Sequence, residues 1–288
     1  DDYRELERLS NARPSQNYPT PVELHGGKRE REQFAEDVAD RERTRLSLGT
    51  QPISSLRHLL EDSVGIGVFC VGVPSDIAGM YAHVADLGYC ILVNRKHPIE
   101  RQRWSLAHEY AHFLVDRHKP GIDYISSGQR KPACEHFCDA FAAHFLIPRS
   151  TVRARFYDIR ESKGDFQVSD LCKLSTDFGV SVQAMALRLE KLRLIDQGSW
   201  QFLQEKGFQP ATAKDELDLE TACREDQDKY PQRYKYLAVT AFCQDKITET
   251  ELARFLRTDR VDARKIVRRC INRVEMTGEG EKVMQLPF

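Results

Sequence analysis

Residues 103–118 read RWSLAHEYAHFLVDRH, and residues 135–148 read EHFCDAFAAHFLIP. In both stretches apolar residues recur three and four positions apart, which is the spacing of one face of an α-helix. The pattern predicts a helix over residues 101–118 and a second over 134–146, which ends before Pro148 because proline cannot continue a helix. These two helices are the predicted centre of the fold.

The first helix contains the motif H-E-x-x-H, formed by His108, Glu109 and His112. Residues four apart lie on the same helical face, so the two imidazoles can reach one metal ion. Glu109 then lies on the open side of the metal, where a carboxylate can accept a proton from a water that zinc has acidified. Apolar neighbours make unpaired histidines costly here, and a bound metal would remove that cost. The motif therefore predicts a catalytic zinc site with Glu109 as the general base.

A catalytic zinc usually has three protein ligands and one open position. Glu135 is the best candidate for the third ligand because it opens the second helix, 23 residues after His112. The alternative is an acidic residue favoured at a helix N-terminus by the helix dipole alone. Asp139 follows one turn later, where it can accept a hydrogen bond from the ring nitrogen of a ligand histidine that does not bind the metal. For Asp139 too, a role without metal is the alternative.

The segments RQRWSLAHEYAHFL and EHFCDAFAAHFLIP closely resemble the motifs of the ImmA/IrrE-type metallopeptidases, and the resemblance covers residues 53–148. It implies a zincin-like fold in which His108, His112 and Glu135 bind Zn²⁺. Glu109 would be the general base. The family is linked to regulated cleavage of helix-turn-helix repressors in stress responses and in the control of mobile elements and phages. The resemblance therefore implies a zinc endopeptidase whose substrate is such a repressor or a related regulatory protein.

Longer members of this family carry a Cro/repressor-type helix-turn-helix before the peptidase domain, and residues 230–270 resemble their C-terminal part. The first residue is Asp1 rather than methionine, and residues 10–30 contain three prolines and a Gly-Gly pair. We therefore expect that such a DNA-binding domain is missing from the start of this sequence. DNA would be a partner through that domain or through a basic C-terminal segment.

Most of the eight cysteines lie inside apolar segments and no C-x-x-C motif is present, which is typical of reduced, buried thiols in a cytoplasmic protein. Cys138 stands where the family usually has alanine, a small change that we expect to matter little. A structural zinc completed by Cys134 is an alternative, although structural sites normally have four protein ligands and no open position. Spacing assigns no catalytic role to five further residues: His118, His136, His144, Tyr110 and Tyr124.

The 288 residues include 43 Lys and Arg against 44 Asp and Glu, with 41% hydrophobic residues. A membrane-spanning helix needs roughly 18 consecutive apolar residues, and the longest run here, residues 64–73, is much shorter. The near-zero net charge means that the chain as a whole lacks the basic character of a nucleic-acid-binding protein. Opposite charges in different segments can still hide a locally basic surface. The composition predicts a globular, cytoplasmic protein with no membrane partner.

Three β-rich runs between residues 65 and 94 predict a small antiparallel sheet, so the expected fold class is α+β with a zincin-like core. Two helices are expected before it, one over residues 28–48 and one over 53–62 that Ser54 or Ser55 would cap. We expect four parts: a linker and N-terminal helix (1–49), the metallopeptidase core (50–150), a helix-turn-helix-like region (151–210) and a C-terminal helical region (211–288).

Residues 169–195 have the form of a helix, a turn at Gly179 and a second helix capped by Ser181. Residues 251–273 hold eight basic residues against three acidic ones, whereas the acidic residues 214–229 are predicted to form an exposed connector or helix. The second hypothesis is therefore a transcriptional regulator or sensor that keeps the peptidase fold without proteolysis and binds DNA. Helix-turn-helix shapes are also common as plain packing units. The oligomeric state stays open.

Overall fold

The computed structural model describes residues 2–11, 18–84, 88–117, 133–220, 223 and 225–275. None of the helices in these ranges is long and apolar enough to cross a membrane. In chain order the elements are α1 (Asp2–Ser10), α2 (Lys28–Arg45), α3 (Leu56–His58, continued by a π-helical turn Leu59–Val64), β1 (Gly67–Val71), β2 (Gly79–Val84), β3 (Gly88–Asn94), α4 (Ile99–Asp116), α5 (Ala133–Leu146), α6 (Arg149–Lys163), α7 (Val168–Phe178), α8 (Val182–Lys191), α9 (Ser199–Glu205), α10 (Pro210–Glu216), α11 (Gln232–Cys243), α12 (Glu249–Leu256) and α13 (Arg260–Glu275).

The predicted α+β class is confirmed, and the predicted helices are present with ends shifted by a few residues. The Ser55 hydroxyl caps α3 by accepting the amide of His58 at 3.3 Å. The Ser181 hydroxyl caps α8 in the same way, with the amide of Ala184 at 3.1 Å. Gly179 ends α7 at φ 61°, a left-handed conformation that glycine adopts without strain. The helix, turn and helix of this region are therefore formed as predicted.

The sheet is mixed rather than wholly antiparallel. Its strand order is β1-β3-β2, and β2 pairs antiparallel with β3 as predicted. The strand β1 pairs parallel with β3, with Gly67 opposite Cys90. An alternating apolar pattern indicates a half-buried strand. The pattern does not depend on chain direction, so it does not show whether two strands pair parallel or antiparallel. Because β3 lies in the middle of the three described strands, β2 is an edge strand among them.

Helix α4 packs on β2 and β3, α5 packs on α4, and α2 packs on α5. Fully buried aromatic residues fill these contacts: Tyr110, Phe113, Phe141 and Phe145. Burying one large apolar side chain stabilises a fold by about 1.5–3 kcal/mol, so these contacts hold α4 and α5 in a defined register. That register also sets how far the polar side chains of α4 lie from those of α5.

The acidic residues within 214–229 are exposed only in the first part of the range: Asp215, Glu216, Asp218 and Glu220 are exposed as predicted, whereas Glu225, Asp226 and Asp228 are partly buried. The Glu225 side chain is 2% exposed and forms a buried ion pair with Arg103 of α4. Its carboxylate also accepts the backbone N–H groups of Leu56 at 2.7 Å and Arg57 at 3.0 Å, at the start of α3. The prediction therefore fails at Glu225, because an acidic residue lies in solvent only when no buried cation is within reach, and here Arg103 is.

A second buried arginine holds the same part of the chain. Arg57 is 1% exposed, and its Nε donates to Glu61 at 2.8 Å. The rest of its guanidinium donates to the backbone carbonyls of Asp226, Asp228 and Tyr230 at 2.7–2.8 Å. A buried charge is costly unless it is paired and hydrogen-bonded, and Arg57 meets both conditions. These hydrogen bonds therefore hold residues 226–230 beside α3.

The C-terminal helices form a separate apolar cluster that α1 completes. Leu6 of α1 is fully buried in this cluster together with Tyr234 and Leu237 of α11. Sequence analysis assigned no element to the first ten residues because few apolar residues stand among their charges. Long-range packing against α11 supplies the stability that this short helix lacks by itself.

Candidate metal centre

The two histidines of the H-E-x-x-H motif lie side by side on α4, with their ring centroids 5.1 Å apart. Both face Glu135 at the start of α5. The carboxylate oxygens of Glu135 lie 3.4 Å from Nε2 of His108 and 3.1 Å from Nε2 of His112. Two imidazole nitrogens and one carboxylate, all mostly buried, thus converge on one point. The three predicted metal ligands are brought together by the packing of α4 on α5.

Asp139 lies one turn after Glu135, and its Oδ1 is 3.1 Å from Nδ1 of His108. This contact engages the ring nitrogen of His108 that faces away from Glu135. A carboxylate in that place holds the orientation and tautomer of an imidazole whose other nitrogen is a ligand. Asp139 therefore lies where the supporting role expected from the sequence requires a carboxylate.

The charges in this cluster depend on one another. Burial lowers the pKa of His108, but hydrogen bonds to Asp139 and Glu135 outweigh burial and raise it to about 9. Burial alone would raise the pKa of Glu135, yet hydrogen bonds from His108 and His112 bring it well below its ordinary value. A carboxylate held ionised between two imidazoles is a donor set that suits a divalent cation, since protons and a metal compete for the same nitrogens.

Glu109 is placed by the edge strand β2. The backbone N–H of Tyr81 donates a hydrogen bond to its carboxylate. A Cβ atom added at Gly79 would lie 3.1 Å from Cγ of Glu109, so the strand passes close to the glutamate. Burial raises the pKa of Glu109, against the opposing effect of His108 and His112. Sequence analysis missed this strand contact, and its signal was the glycine at the start of a strand, which often marks close approach.

Cys138 forms an alternative cluster with the two histidines, because one ligand atom from each of His108, His112 and Cys138 lies within 4.8 Å of the others. The thiol is fully buried, and burial, together with Cys134, raises its pKa well above the ordinary value. The two clusters share both histidines and differ in the third group, which is the Glu135 carboxylate in one and the Cys138 thiol in the other. The carboxylate of Glu135 reaches the Nε2 atoms of both histidines.

The other residues that the sequence left without a role are placed as follows. The hydroxyl of Tyr110 donates to Glu42 at 2.6 Å in the core, so it is not directed at the metal cluster. His136 lines a small cavity with Asp139, and His144 lies in a separate, larger cleft. His118 and Tyr124 lie outside the described residues.

Some of the basic residues that suggested DNA binding are engaged within the protein. Arg188, in the second helix of the helix-turn-helix, is 3% exposed and donates through Nε to the carbonyl of Ile147 at 3.2 Å. Half of the eight basic residues at 251–273 pair with acidic residues of α1, α12 or α13. The pairs are Arg254 with Glu5, Arg257 with Asp2, Arg264 with Glu249 and Lys265 with Asp262.

Comparison with known families supports the predicted resemblance. Residues 62–190 match the model of the IrrE N-terminal-like domain, peptidase M78. The match supports an ImmA/IrrE-type domain in this part of the chain. The match spans the sheet, α4, α5 and the helices to the end of α8.

Comparison with solved structures found a Mycobacterium tuberculosis transcriptional regulator with 18% sequence identity and a TM-score of 0.37. The match covers 66% of this chain and 52% of the regulator, so the chain spans about half of its length. A search of curated proteins found no match.

Proposed function

We propose that the protein is a zinc-dependent endopeptidase. The observation that carries the proposal is the convergence of His108, His112 and Glu135, with Glu109 alongside them on α4. Three protein donors leave coordination positions open, as in catalytic zinc sites. Zn²⁺ held by these three residues supplies Lewis-acid activation of water and of a peptide carbonyl. These residues therefore support a hydrolytic zinc site rather than a structural one.

Glu109 is the proposed proton acceptor. Its carboxylate takes a proton from the attacking water and passes it to the leaving amine, the usual task of a general acid and base. Burial raises the pKa of Glu109, which favours a carboxylate that can accept a proton and release it again. The amide of Tyr81 holds the carboxylate in one position while the proton moves.

The substrate peptide is proposed to lie along the edge strand β2. An extended segment added to a sheet edge is held by backbone hydrogen bonds, which recognise a peptide without requiring one side chain. Gly79 and Tyr81 of β2 both approach Glu109, so a peptide on this edge passes the proposed general base. This placement favours a protein substrate over a small molecule.

The proposed substrate is a helix-turn-helix repressor or a related regulatory protein, as the family implies. The competing function is a regulator that binds DNA through α8 or through α12 and α13. Burial of Arg188 and the internal ion pairs of residues 254–265 leave less basic surface for phosphate contacts than the sequence suggested. The peptidase proposal therefore rests on more observations than the DNA-binding one.

The test compares wild type, Glu109→Gln and Glu100→Gln, each co-expressed with helix-turn-helix regulators. Glu100 lies on the same helix but pairs with Lys214 at 2.9 Å, away from the cluster, and serves as the matched control. Glu109→Gln should retain bound zinc and lose cleavage by about 10²–10⁴-fold, the size of a general-base contribution. Glu100→Gln should cleave like wild type. Unchanged cleavage in Glu109→Gln would contradict the proposal.

A further inference from the structure

A cleft of about 800 Å³ lies between α2, α5, α6 and α8, apart from the candidate metal centre. His144 of α5 lines it, nine residues after Glu135 and therefore about 13 Å further along the helix. Basic residues dominate its lining: Arg29, Arg149, Arg153, Arg188, Lys191 and Arg193. A volume of this size lies within the range of about 300–1,000 Å³ that small-molecule sites occupy.

Two buried side chains in this cleft have polar atoms that form no hydrogen bond within the described part of the chain. His144 is 3% exposed, and neither of its ring nitrogens forms a hydrogen bond. Its Nδ1 lies 3.6 Å from Oε1 of Glu36, which is too far for one. Arg188 is also 3% exposed, and its Nη2 is unsatisfied although its Nε is bonded. A buried polar group without a partner destabilises the fold, so a ligand that supplies acceptors would recover that cost.

The charge of the lining favours an anion. Six cations and three carboxylates line the cleft, which leaves its lining positively charged; the carboxylates are Glu30, Glu32 and Glu36. Glu32 pairs with Lys191, and Glu36 lies 3.6 Å from His144. Burial first, and then repulsion from the charges of Arg188 and Arg149, lowers the pKa of His144 to about 3. An anion between these groups would relieve the repulsion.

We propose that this cleft binds a small molecule that carries phosphate groups. The fork of the Arg188 guanidinium suits the paired oxygens of a phosphate, and the buried imidazole of His144 can donate to a third. Arg149 and Arg153 line the cleft from α6, where they can hold a further phosphate or a carboxylate. This inference does not depend on peptidase activity, because none of the cleft residues is a proposed metal ligand.

The experiment measures binding of ADP and of inorganic phosphate to the full chain by calorimetry, at low and high salt. Wild type should bind both, more weakly at high salt because the attraction is screened. Arg188→Met should weaken binding by about tenfold or more, as expected for loss of a charged hydrogen bond. The double variant Arg149→Gln/Arg153→Gln tests the same point without altering a buried residue. Tighter binding of ADP than of phosphate would assign an organic phosphate ligand, and equal binding would assign the phosphate groups alone.

Two further variants test whether binding is confined to this cleft. Arg160→Gln removes an exposed arginine of the same helix that does not line the cleft, so binding should be unchanged. Glu135→Gln alters the metal centre, and ADP binding should survive it even if the peptidase proposal fails. The inference is overturned if wild type binds neither ADP nor phosphate at millimolar concentration. It is equally overturned if the double variant binds both as tightly as wild type.

Discussion

Helix α5 carries buried polar groups near both of its ends, and the two ends differ in how those groups are partnered. At the start, Glu135 lies between two imidazoles and Asp139 engages His108. Near the end, His144 lies among arginines, and neither of its ring nitrogens forms a hydrogen bond to a described residue. In the first cluster, carboxylates face imidazole nitrogens. In the second cluster, positively charged arginines surround a buried imidazole that has no hydrogen-bond partner among the described residues.

The difference indicates opposite ligands on one helix. In the first cluster the Nε2 atoms of both histidines face the Glu135 carboxylate, where a cation could be held. In the second, buried polar atoms lie among arginines, where an anion could be held. Burial makes an unpaired polar group costly, so each cluster indicates the charge of the ligand that it would bind. Substitutions at both ends of α5 test this contrast.

The largest effect is expected from Glu135→Gln, which removes the negative charge between the two imidazoles. Zinc affinity should fall by about 10³-fold or more, because one of three protein ligands is lost. Competition with a fluorescent zinc chelator measures it. Cys138→Ala is the matched variant on the same helix and should leave zinc affinity unchanged. A larger loss in Cys138→Ala than in Glu135→Gln would show that the thiol is the third ligand.

Glu225→Gln measures what an unpartnered buried charge costs in this protein. The change leaves Arg103 without its ionic partner inside the fold, so the free energy of unfolding should fall by about 3–5 kcal/mol. Urea unfolding followed by circular dichroism gives the value. The exposed pair of Arg155 and Asp177 provides the control, because Asp177→Asn should cost no more than about 1 kcal/mol. Similar losses of unfolding free energy in both variants would show that burial does not increase the cost of removing an ionic partner.

His144→Leu should change how stability depends on pH. The folded pKa of about 3 lies below the unfolded value near 6.5, so the unfolded chain binds more protons between these limits and stability falls as pH falls below about 6.5. For wild type, His144 should contribute a loss of about 2 kcal/mol between pH 6.5 and pH 5. Urea unfolding over this range should show a smaller loss in His144→Leu. Parallel pH profiles for the two proteins would exclude a neutral, buried His144.

Asp139→Asn is expected to have the smallest of these effects. The variant keeps the size of the side chain at Nδ1 of His108 but removes its negative charge. Zinc affinity should fall by about 10-fold to 100-fold, as it does when a residue behind a metal ligand is changed. The chelator competition used for Glu135→Gln checks this value. An affinity equal to that of wild type would mean that Asp139 does not support His108.

Much of the candidate site could be predicted because its residues follow helical spacing. His108 and His112 are four apart on one helix, and the position of Glu135 followed from the start of the next amphipathic helix. The contact of Glu109 with Tyr81 could not be predicted, since it depends on how the edge strand crosses α4. The burial of Glu225 was missed for a similar reason: its partner Arg103 is 122 residues away.

Helix geometry is local, so the amino-acid sequence alone specifies which donors the chain offers and that two of them share a helical face. Three other features arise from long-range packing: Glu135 faces both imidazoles, β1 runs parallel to β3, and His144 is buried among arginines. Burial and pairing are set by packing between segments far apart in the chain. Composition therefore could not show which charges in this protein are satisfied and which are left for a ligand.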